Sequence, residues 1–324
     1  MTSAAMPLPE PAPVPVDEAL RARPAPALRP YAAWYSGYRQ RGVAPMVHRG
    51  LPSPYLTLIL TLDEPLTLAA HPDPRQPPGS YRTLLGGLHT GPALITHAGR
   101  QSGVQIALSP LGARVLLGLP AGELAELDFT AEEVLGGWAV EGRERLLSAT
   151  DWPGRFAAVD QWLGRRLGQR SDQRAVEPAP EVAQAWQLLL AGGGQPSAAA
   201  LADRIGWSGR HLADRFRTEI GLTPKAAARV IRFDRARRLL SARAGQPRAG
   251  DGLGLAALAA HCGYFDQAHL AREFRALAGC APSRWVAEET GTAAKRVAEE
   301  RVALGSETSK AGPGRPVQAG ATPG

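Results

Sequence analysis

Basic and amide side chains cluster in the last third of the chain, and their chemistry suits recognition of nucleic acid. Arg210, Gln267 and Arg272 stand in short segments that also carry Arg217 and Arg275. An arginine can donate two hydrogen bonds to O6 and N7 of guanine, and a glutamine can pair with N6 and N7 of adenine. Arginine also neutralises phosphates. These groups can act together only if the elements that carry them present them on exposed faces.

The segments that carry these side chains occur twice in the same order. The first copy reads ALADRIGW, HLADRFR and GLTP from residue 200, and the second reads ALAAHCGY, HLAREFR and GCAP from residue 257. The offset is 57 residues before the turn and 58 after it, so one residue is inserted in the second turn. A repeat of this length indicates two copies of one structural unit.

Each copy is typical of a helix, a tight turn and a second helix. Leu201 and Ile205 lie four residues apart, which places them on one helix face. Gly206 can end that helix in a left-handed conformation, and Ser208 is a favourable N-cap for the next one. The predicted buried stripes of the second helices are Leu212, Phe216 and Ile220 in one copy and Leu270, Phe274 and Leu277 in the other, where Asp266 is the predicted N-cap. This is the helix-turn-helix pattern.

A single long helix is predicted between the copies, over residues 224–242, because the segment contains no helix-breaking residue after Pro224. At ~1.5 Å per residue it would be about 28 Å long. Successive major-groove faces on one side of B-DNA lie about 34 Å apart. Such a connector could hold two recognition helices over adjacent major grooves.

Residues 181–285 resemble the DNA-binding domain of the arabinose-regulator (AraC/XylS) family of bacterial transcription factors. The most specific residues are Leu258, Ala259, Cys262, Gly263, Tyr264, Asp266, Gln267, His269, Leu270, Arg272, Phe274 and Arg275, followed by Gly279, Pro282 and Trp285. The resemblance implies seven helices, two helix-turn-helix units and sequence-specific binding to promoter DNA. It also implies RNA polymerase as a partner if the output is activation.

The expected contact residues lie on the faces opposite the buried stripes. For contacts to bases we expect Arg210, Ala213, Asp214, Gln267, Ala268 and Arg272, and for contacts to phosphates Ser208, Arg217, Lys225 and Arg275. Asp214 departs from the basic or neutral polar residue that the family often has. Its carboxylate either accepts from cytosine N4 or pairs with Arg210 or Arg217 on the same helix.

The excess of positive charge lies in the part of the chain that contains the repeat. Residues 1–180 contain 17 Lys and Arg against 17 Asp and Glu, whereas residues 181–290 contain 15 against 10. An excess of positive charge confined to the repeat favours a phosphate-facing domain. A non-specific architectural protein would share this charge, but the paired recognition helices argue against that interpretation.

The two cysteines predict no disulfide framework. Cys262 aligns with Ile205 and Cys280 with Leu222, so both are expected in the core. No apolar run approaches the ~20 residues that a spanning helix needs, and the N-terminus does not look like a signal peptide. A cytoplasmic protein without membrane contact is expected.

The N-terminal part predicts a different class of domain. Residues 1–29 are rich in Pro and Ala and are expected to be a disordered lead. Residues 30–170 predict a β-rich domain, in which residues 55–62 and 66–68 form a hairpin and residues 71–80 a surface loop. Short apolar segments at 83–88, 93–97 and 104–108 complete a small barrel or sandwich. In the resembling family this position often holds a cupin-like sensor, which here is an analogy of position.

Helices are expected to follow the strands. The helix predicted over residues 152–167 has an apolar stripe that includes Phe156, Val159 and Trp162, which either packs on the barrel or pairs with a second copy in a homodimer. Residues 171–180 are the predicted linker, 181–287 the DNA-binding domain, and 288–324 a frayed helix with a disordered tail. The predicted class is therefore α+β, with a β-rich domain followed by an all-α domain.

No catalytic constellation is recognised, and no cofactor or metal is expected. The alternative is a metal-binding cupin-type enzyme fused to a DNA-binding domain, because His48, His89 and His97 lie in the β-rich part. These histidines lack the close spacing of a metal motif. The favoured interpretation is a regulator that is modulated through its N-terminal domain by a small-molecule effector or by dimerisation.

Overall fold

The structure is a computed structural model that describes residues 15–171, 178–244 and 254–293. Its N-terminal part contains two antiparallel sheets. The strands within the described residues are β1 (Val16–Ala22), β2 (Ala32–Arg41), β3 (Met46–Gly50), β4 (Leu56–Thr61), β5 (Leu66–Ala70), β6 (Gly79–Tyr81), β7 (Thr83–Gly86), β8 (Ala93–His97), β9 (Arg100–Leu108) and β10 (Asp128–Thr130).

Strand order shows how the two sheets divide the chain. One sheet has the order β1-β2-β9-β4-β7-β10 and the other β3-β8-β5-β6. The central strand β4 is buried on both faces, and Leu56, Leu58 and Leu60 are fully inaccessible to solvent. Such burial is expected for an apolar strand. Because β4 lies beside β9 in the middle of the six-stranded sheet, these two strands form the centre of the domain.

Most of the helices within the described residues follow the strands in sequence, as predicted for the α+β class. They are α1 (Ala113–Leu116), α2 (Ala131–Leu135), α3 (Gly137–Ser148), α4 (Trp152–Ser171), α5 (Pro180–Ala191), α6 (Ala198–Ile205), α7 (Gly209–Ile220), α8 (Pro224–Ala244), α9 (Leu255–His261), α10 (Gln267–Ala278) and α11 (Pro282–Ala293). Short 3-10 turns at Pro26–Leu28, Pro110–Gly112 and Ala121–Leu124 connect the elements of the first domain. The α+β class, with a β-rich domain before an all-α region, is confirmed.

The prediction of a disordered lead over residues 1–29 is wrong for its second half. Strand β1 lies in this segment and pairs with β2 from Val16 opposite Arg41 to Ala22 opposite Tyr35. Leu28, in the following 3-10 turn, is buried. The Pro- and Ala-rich composition hid a strand that gains its stability from pairing with a neighbour distant in sequence. Residues 1–14 lie outside the described residues.

The predicted hairpin between residues 55–62 and 66–68 is also wrong. Both segments are strands, but β4 pairs with β7 and β9, whereas β5 pairs with β6 and β8. The connection at residues 62–65 therefore carries the chain from one sheet to the other. Alternation and a turn signal specify two strands, but they do not specify which neighbours those strands choose.

The segment predicted as a surface loop over residues 71–80 contains a buried polar anchor. His71 is 4% exposed, and its Nδ1 lies 2.7 Å from the Asp128 carboxylate, while its Nε2 lies 3.2 Å from the Tyr81 hydroxyl. Gln76 bonds the backbone of Asp128 in both directions. These contacts fix the proline-rich segment to β10, so only part of it is exposed.

The apolar stripe of α4 packs in the core. Val159, Trp162 and Leu163 are buried, and Trp162 stacks on Trp138 with ring centroids 3.9 Å apart. Of the two fates left open for this stripe, packing against its own domain is the one observed.

The C-terminal region contains α5 to α11, which are seven helices within the described residues, as the resemblance implies. Helix α8 ends at Ala244, two residues later than predicted. Phe216 packs near Trp186, and Phe274 lies between Phe233 and Trp285, with centroid distances of 5.0 to 6.0 Å. Helix α11 ends at Ala293, and the remainder of the predicted tail lies outside the described residues. Among the described helices, none has the length and apolarity to cross a membrane.

Candidate DNA interface

The first helix-turn-helix unit consists of α6 and α7. Gly206 ends α6 in the left-handed conformation, with φ of 74°, which glycine adopts without steric cost. The Ser208 hydroxyl then accepts a hydrogen bond from the His211 backbone N–H at 3.2 Å. This bond satisfies one of the unpaired amides at the start of α7. The cap predicted from the sequence is therefore confirmed.

The second unit, α9 and α10, is built in the same way. Gly263 has φ of 77°, and an Asp266 carboxylate oxygen accepts from the His269 backbone N–H at 2.6 Å. The carboxylate also interacts favourably with the positive end of the α10 dipole. Both predicted recognition helices thus begin at a side-chain cap that follows a left-handed glycine.

Nearly all of the expected contact residues are exposed. The exposed members are Ser208, Arg210, Asp214, Arg217, Lys225, Gln267, Ala268, Arg272 and Arg275. Ala213 is half-buried. The buried faces of the same helices carry Leu212, Phe216, Leu270 and Phe274. The structure therefore exposes the expected residues of α7 and α10 on the solvent-facing sides of these helices, while Ser208 caps α7 and Lys225 lies in the first turn of α8.

Asp214 has a partner on its own helix. One of its carboxylate oxygens lies 3.7 Å from Arg217 Nη1, and both side chains are more than half exposed. An exposed pair at this spacing contributes only a few tenths of a kcal/mol. Of the alternatives for Asp214, pairing with Arg217 is the one that the structure contains.

Helix α8 joins the two units and packs against both. In its first half, Arg229 Nε donates to the Glu273 carboxylate of α10 at 2.8 Å, and Phe233 contacts Phe274. Arg232, which lies between these two α8 residues in sequence, donates to the Gly194 carbonyl, just before α6, at 2.6 Å. Its buried residues run from Ala227 to Leu240, and this packing makes α8 a rigid connector. With 21 residues it is about 31 Å long.

Sequence reasoning missed the attachment of the N-terminal domain to α7. Arg114 of α1 donates two hydrogen bonds to the Glu219 carboxylate, at 2.6 and 2.9 Å. Glu219 is 3% exposed, and its hydrogen bond raises the pKa of Arg114. A signal was available, because Glu219 lies three residues after Phe216 and next to Ile220, on the buried side of α7. A carboxylate at such a position requires a basic partner.

A close backbone contact accompanies this ion pair. A Cβ atom at Gly122, in the turn Ala121–Leu124, would lie 2.3 Å from the Thr218 carbonyl oxygen. Any other residue type there would require the turn or the end of α7 to shift. The N-terminal domain therefore covers the C-terminal end of α7 and leaves its N-terminal half exposed.

The second unit has a weaker attachment to the N-terminal domain. Arg49 of β3 forms an ion pair with Glu288 of α11, and the Glu288 side chain is 37% exposed. Arg284 also pairs with Glu288 at 2.8 Å. This shared, partly exposed carboxylate contrasts with the buried pair that holds α7.

The histidines considered as metal ligands are distributed over two regions. His48 and His97 lie on neighbouring strands with ring centroids 6.1 Å apart, whereas His89 Nδ1 is placed against the Gly91 carbonyl. In the part of the chain that the structure describes, no three His, Cys, Asp or Glu side chains are grouped as metal ligands. Cys262 and Cys280 are buried as expected, and burial raises the pKa of both thiols.

Comparisons with known proteins agree with this geometry. Residues 201–288 match a family model described as a helix-turn-helix domain, of AraC type, and residues 20–129 match a model described as a domain of unknown function (DUF6597). No curated protein matches the chain significantly.

Solved structures of ToxT from Vibrio cholerae are among the similar folds. The structure from strain O395 has 12% identity and a TM-score of 0.45 over 79% of this chain and 98% of that chain. The structure of wild-type ToxT bound to an unsaturated fatty acid has 11% identity and a TM-score of 0.42 over 76% and 96%.

The family match covers both capped helix pairs and the connector between them. Since this type of domain binds DNA, the chain is a DNA-binding transcriptional regulator, and its C-terminal domain belongs to the AraC/XylS type of helix-turn-helix domains.

Proposed function

We propose that this regulator binds its operator sequence-specifically, with α7 and α10 in adjacent major grooves on one side of the duplex. The observation that carries the proposal is the pair of helices with side-chain N-caps and exposed polar faces, held by one continuous helix of 21 residues. The N-terminal residues of a recognition helix contact base edges in this mode of binding.

Base recognition is assigned to the first halves of the two helices. Arg210 and Arg272 can each bridge O6 and N7 of a guanine, and Gln267 can pair with an adenine. Ala213 and Ala268 offer methyl groups to thymine. Asp214 can accept from cytosine N4 when Arg217 turns toward a phosphate. All of these side chains except that of Ala213 are exposed.

Phosphate contacts are assigned to residues at the edges of the units. The set is Ser208, Arg217, Lys225 and Arg275, all of them exposed. Such contacts fix the register of the protein on the duplex and carry no sequence information. Each cationic contact contributes to the salt dependence of binding.

The N-terminal domain is proposed to modulate binding through its hold on α7. Arg114 and the turn at Ala121–Leu124 contact the C-terminal end of that helix, so a shift of the domain would reorient α7. An effector bound by the β-rich domain, or its dimerisation, would act along this route. RNA polymerase is the further partner if the output is activation.

Selection of bound sequences from a random duplex library with the full chain tests the proposal. We expect enrichment of two conserved elements whose centres lie about 10 base pairs apart, one helical turn. The enriched duplex should then compete far better than random duplex at physiological salt. Equal competition by both duplexes would indicate an architectural protein that binds by charge alone and would contradict the proposal.

A further inference from the structure

Phe265 is the most exposed large apolar side chain among the described residues. It is 93% exposed, whereas Val47, Leu147, Val140 and Leu20 range from 60% to 36%. Isolated apolar residues on a surface are ordinary. An aromatic ring with almost no intramolecular contact is more informative when it stands directly before the cap of a recognition helix, as Phe265 does before Asp266.

Phe265 is also the residue that distinguishes the two copies of the repeat. Left-handed Gly206 and the cap Ser208 are separated by one residue, Trp207, whereas Gly263 and the cap Asp266 are separated by two, Tyr264 and Phe265. Tyr264 takes the role of Trp207, because each ring packs edge-on against a histidine three residues after the cap. The centroid distances are 4.4 Å for Trp207 to His211 and 5.3 Å for Tyr264 to His269. Phe265 is therefore the inserted residue.

The ordinary intramolecular role of an apolar residue before an N-cap is a contact with the fourth residue of the helix. In α10 that residue is Leu270, which is fully buried, while Phe265 remains in solvent. The backbone around Phe265 is nevertheless held, since its N–H donates to His269 Nδ1 at 3.3 Å. The insertion thus places a ring outward from an anchored backbone.

From this placement we propose that Phe265 packs on the C5-methyl group of a thymine in the major groove read by α10. The proposal rests on the proposed function. Thymine presents the only methyl group in the major groove, and apolar side chains recognise it by contact. The neighbouring Gln267, Ala268 and Arg272 are exposed and assigned to the same groove. Phe265 is then a specificity residue that the first unit lacks.

The test uses the full chain and the operator found by selection, with binding measured by fluorescence anisotropy. Thymines in the operator are replaced one at a time by uracil, which removes only the methyl group. At one position we expect wild-type affinity to fall about 4-fold, the value of one buried carbon group. Phe265→Ala should weaken operator binding about 10-fold or more and lose its sensitivity to uracil at that position. Phe265→Leu should retain most of the operator affinity and most of the sensitivity to uracil at that position.

Val47→Ala, which shortens an exposed apolar side chain on β3, is the matched control and should bind like the wild type. The proposal is overturned if Phe265→Ala binds the operator normally, which would leave a protein partner for the ring. It is also overturned if the variant binds weakly but keeps every uracil effect, which would indicate a backbone contact. If the wild-type chain prefers no sequence at all, the proposed function fails and this inference fails with it.

Discussion

In the first helix-turn-helix unit, Trp207 lies against His211 and nothing aromatic extends into solvent, whereas in the second, Tyr264 fills that place and Phe265 points outward. The exposed faces differ in charge as well. Arg217 of α7 is paired with Asp214, while Arg272 and Arg275 of α10 form no ion pair with any described residue. The second unit therefore presents more exposed side chains, aromatic and cationic, that are available to contact a ligand.

The attachments to the N-terminal domain differ in the opposite direction. The first unit is held through the buried pair of Arg114 and Glu219, and the second through the partly exposed pair of Arg49 and Glu288. From these differences we expect the two units to have different roles. We expect the N-terminal domain to position the first unit, and the second unit to contribute more to sequence-specific recognition.

The largest expected effects concern the interiors, where the two units should behave alike. Phe216→Ala and Phe274→Ala each remove a fully buried ring. Each should lower the free energy of unfolding of the C-terminal domain by about 3–5 kcal/mol. Urea unfolding followed by helical circular dichroism measures this loss, with exposed Leu147→Ala as the control. A loss below about 1 kcal/mol for one variant alone would show that the two interiors are not equivalent.

The domain attachments should separate the units clearly. Arg114→Ala leaves the Glu219 carboxylate buried, and Arg215 at 3.7 Å is then its remaining ion-pair partner among the described residues. Removal of one partner from a buried pair costs about 3–5 kcal/mol, and we expect about 3 here because Arg215 can partly compensate. Arg49→Ala, at the partly exposed pair with Glu288, should cost about 1 kcal/mol, because Glu288 retains Arg284 as a partner. Thermal unfolding of both variants compares them, and similar losses would contradict the difference in attachment.

The arginines of the recognition helices should differ in the kind of loss they produce. Arg272→Ala should reduce operator binding by about 1–3 kcal/mol and relax discrimination at one base pair. Arg217→Ala should weaken binding to all duplexes alike and reduce the salt slope by about one. Titrations of both variants with operator and random duplex at several salt concentrations distinguish these patterns.

Arg243→Ala serves as a charge-matched control for Arg272→Ala. The connector helix predicted over residues 224–242 would end before Arg243, but Arg243 lies in the last turn of α8. Its removal should affect operator and random duplex equally. If Arg272→Ala also lowers both affinities equally, Arg272 contacts the DNA backbone and α10 does not read bases through it.

The smallest expected effect belongs to Asp214. Asp214→Asn removes a negative charge from the DNA-facing side of α7 and releases Arg217 from an exposed pair. Binding to any duplex should tighten by about 0.2–0.5 kcal/mol, the value of such a pair on a helix surface. Anisotropy titrations at low salt are sensitive enough for this change. Loss of discrimination at a single C·G pair would instead show that Asp214 reads a base.

Features that depend on neighbours within one helical turn could be predicted from the amino-acid sequence alone. Ser208 and Asp266 cap α7 and α10 as predicted, because an N-cap bonds an amide only three residues away. The buried stripes that contain Phe216 and Phe274 were predicted for the same reason, since helical periodicity is local. These rules, applied to both copies, were sufficient to predict the two helix-turn-helix units and their exposed faces, whereas the seven-helix arrangement was an implication of the family resemblance.

Features that join segments distant in sequence became known from the folded structure and not from local sequence patterns. Strand β4 pairs with β7 and β9 and not with β5, which follows it in sequence, and β1 is a strand because it pairs with β2. Arg114 and Glu219 are 105 residues apart in sequence, so no local pattern links them. The repeat indicated that the second turn contains one extra residue. It did not indicate whether Phe265 would be buried or exposed, because that depends on Tyr264 and Leu270 occupying the core positions. A side-chain cap depends on residues within one turn of helix. Strand pairing, domain docking and side-chain exposure depend instead on contacts between segments that are distant in sequence and come together as the chain folds.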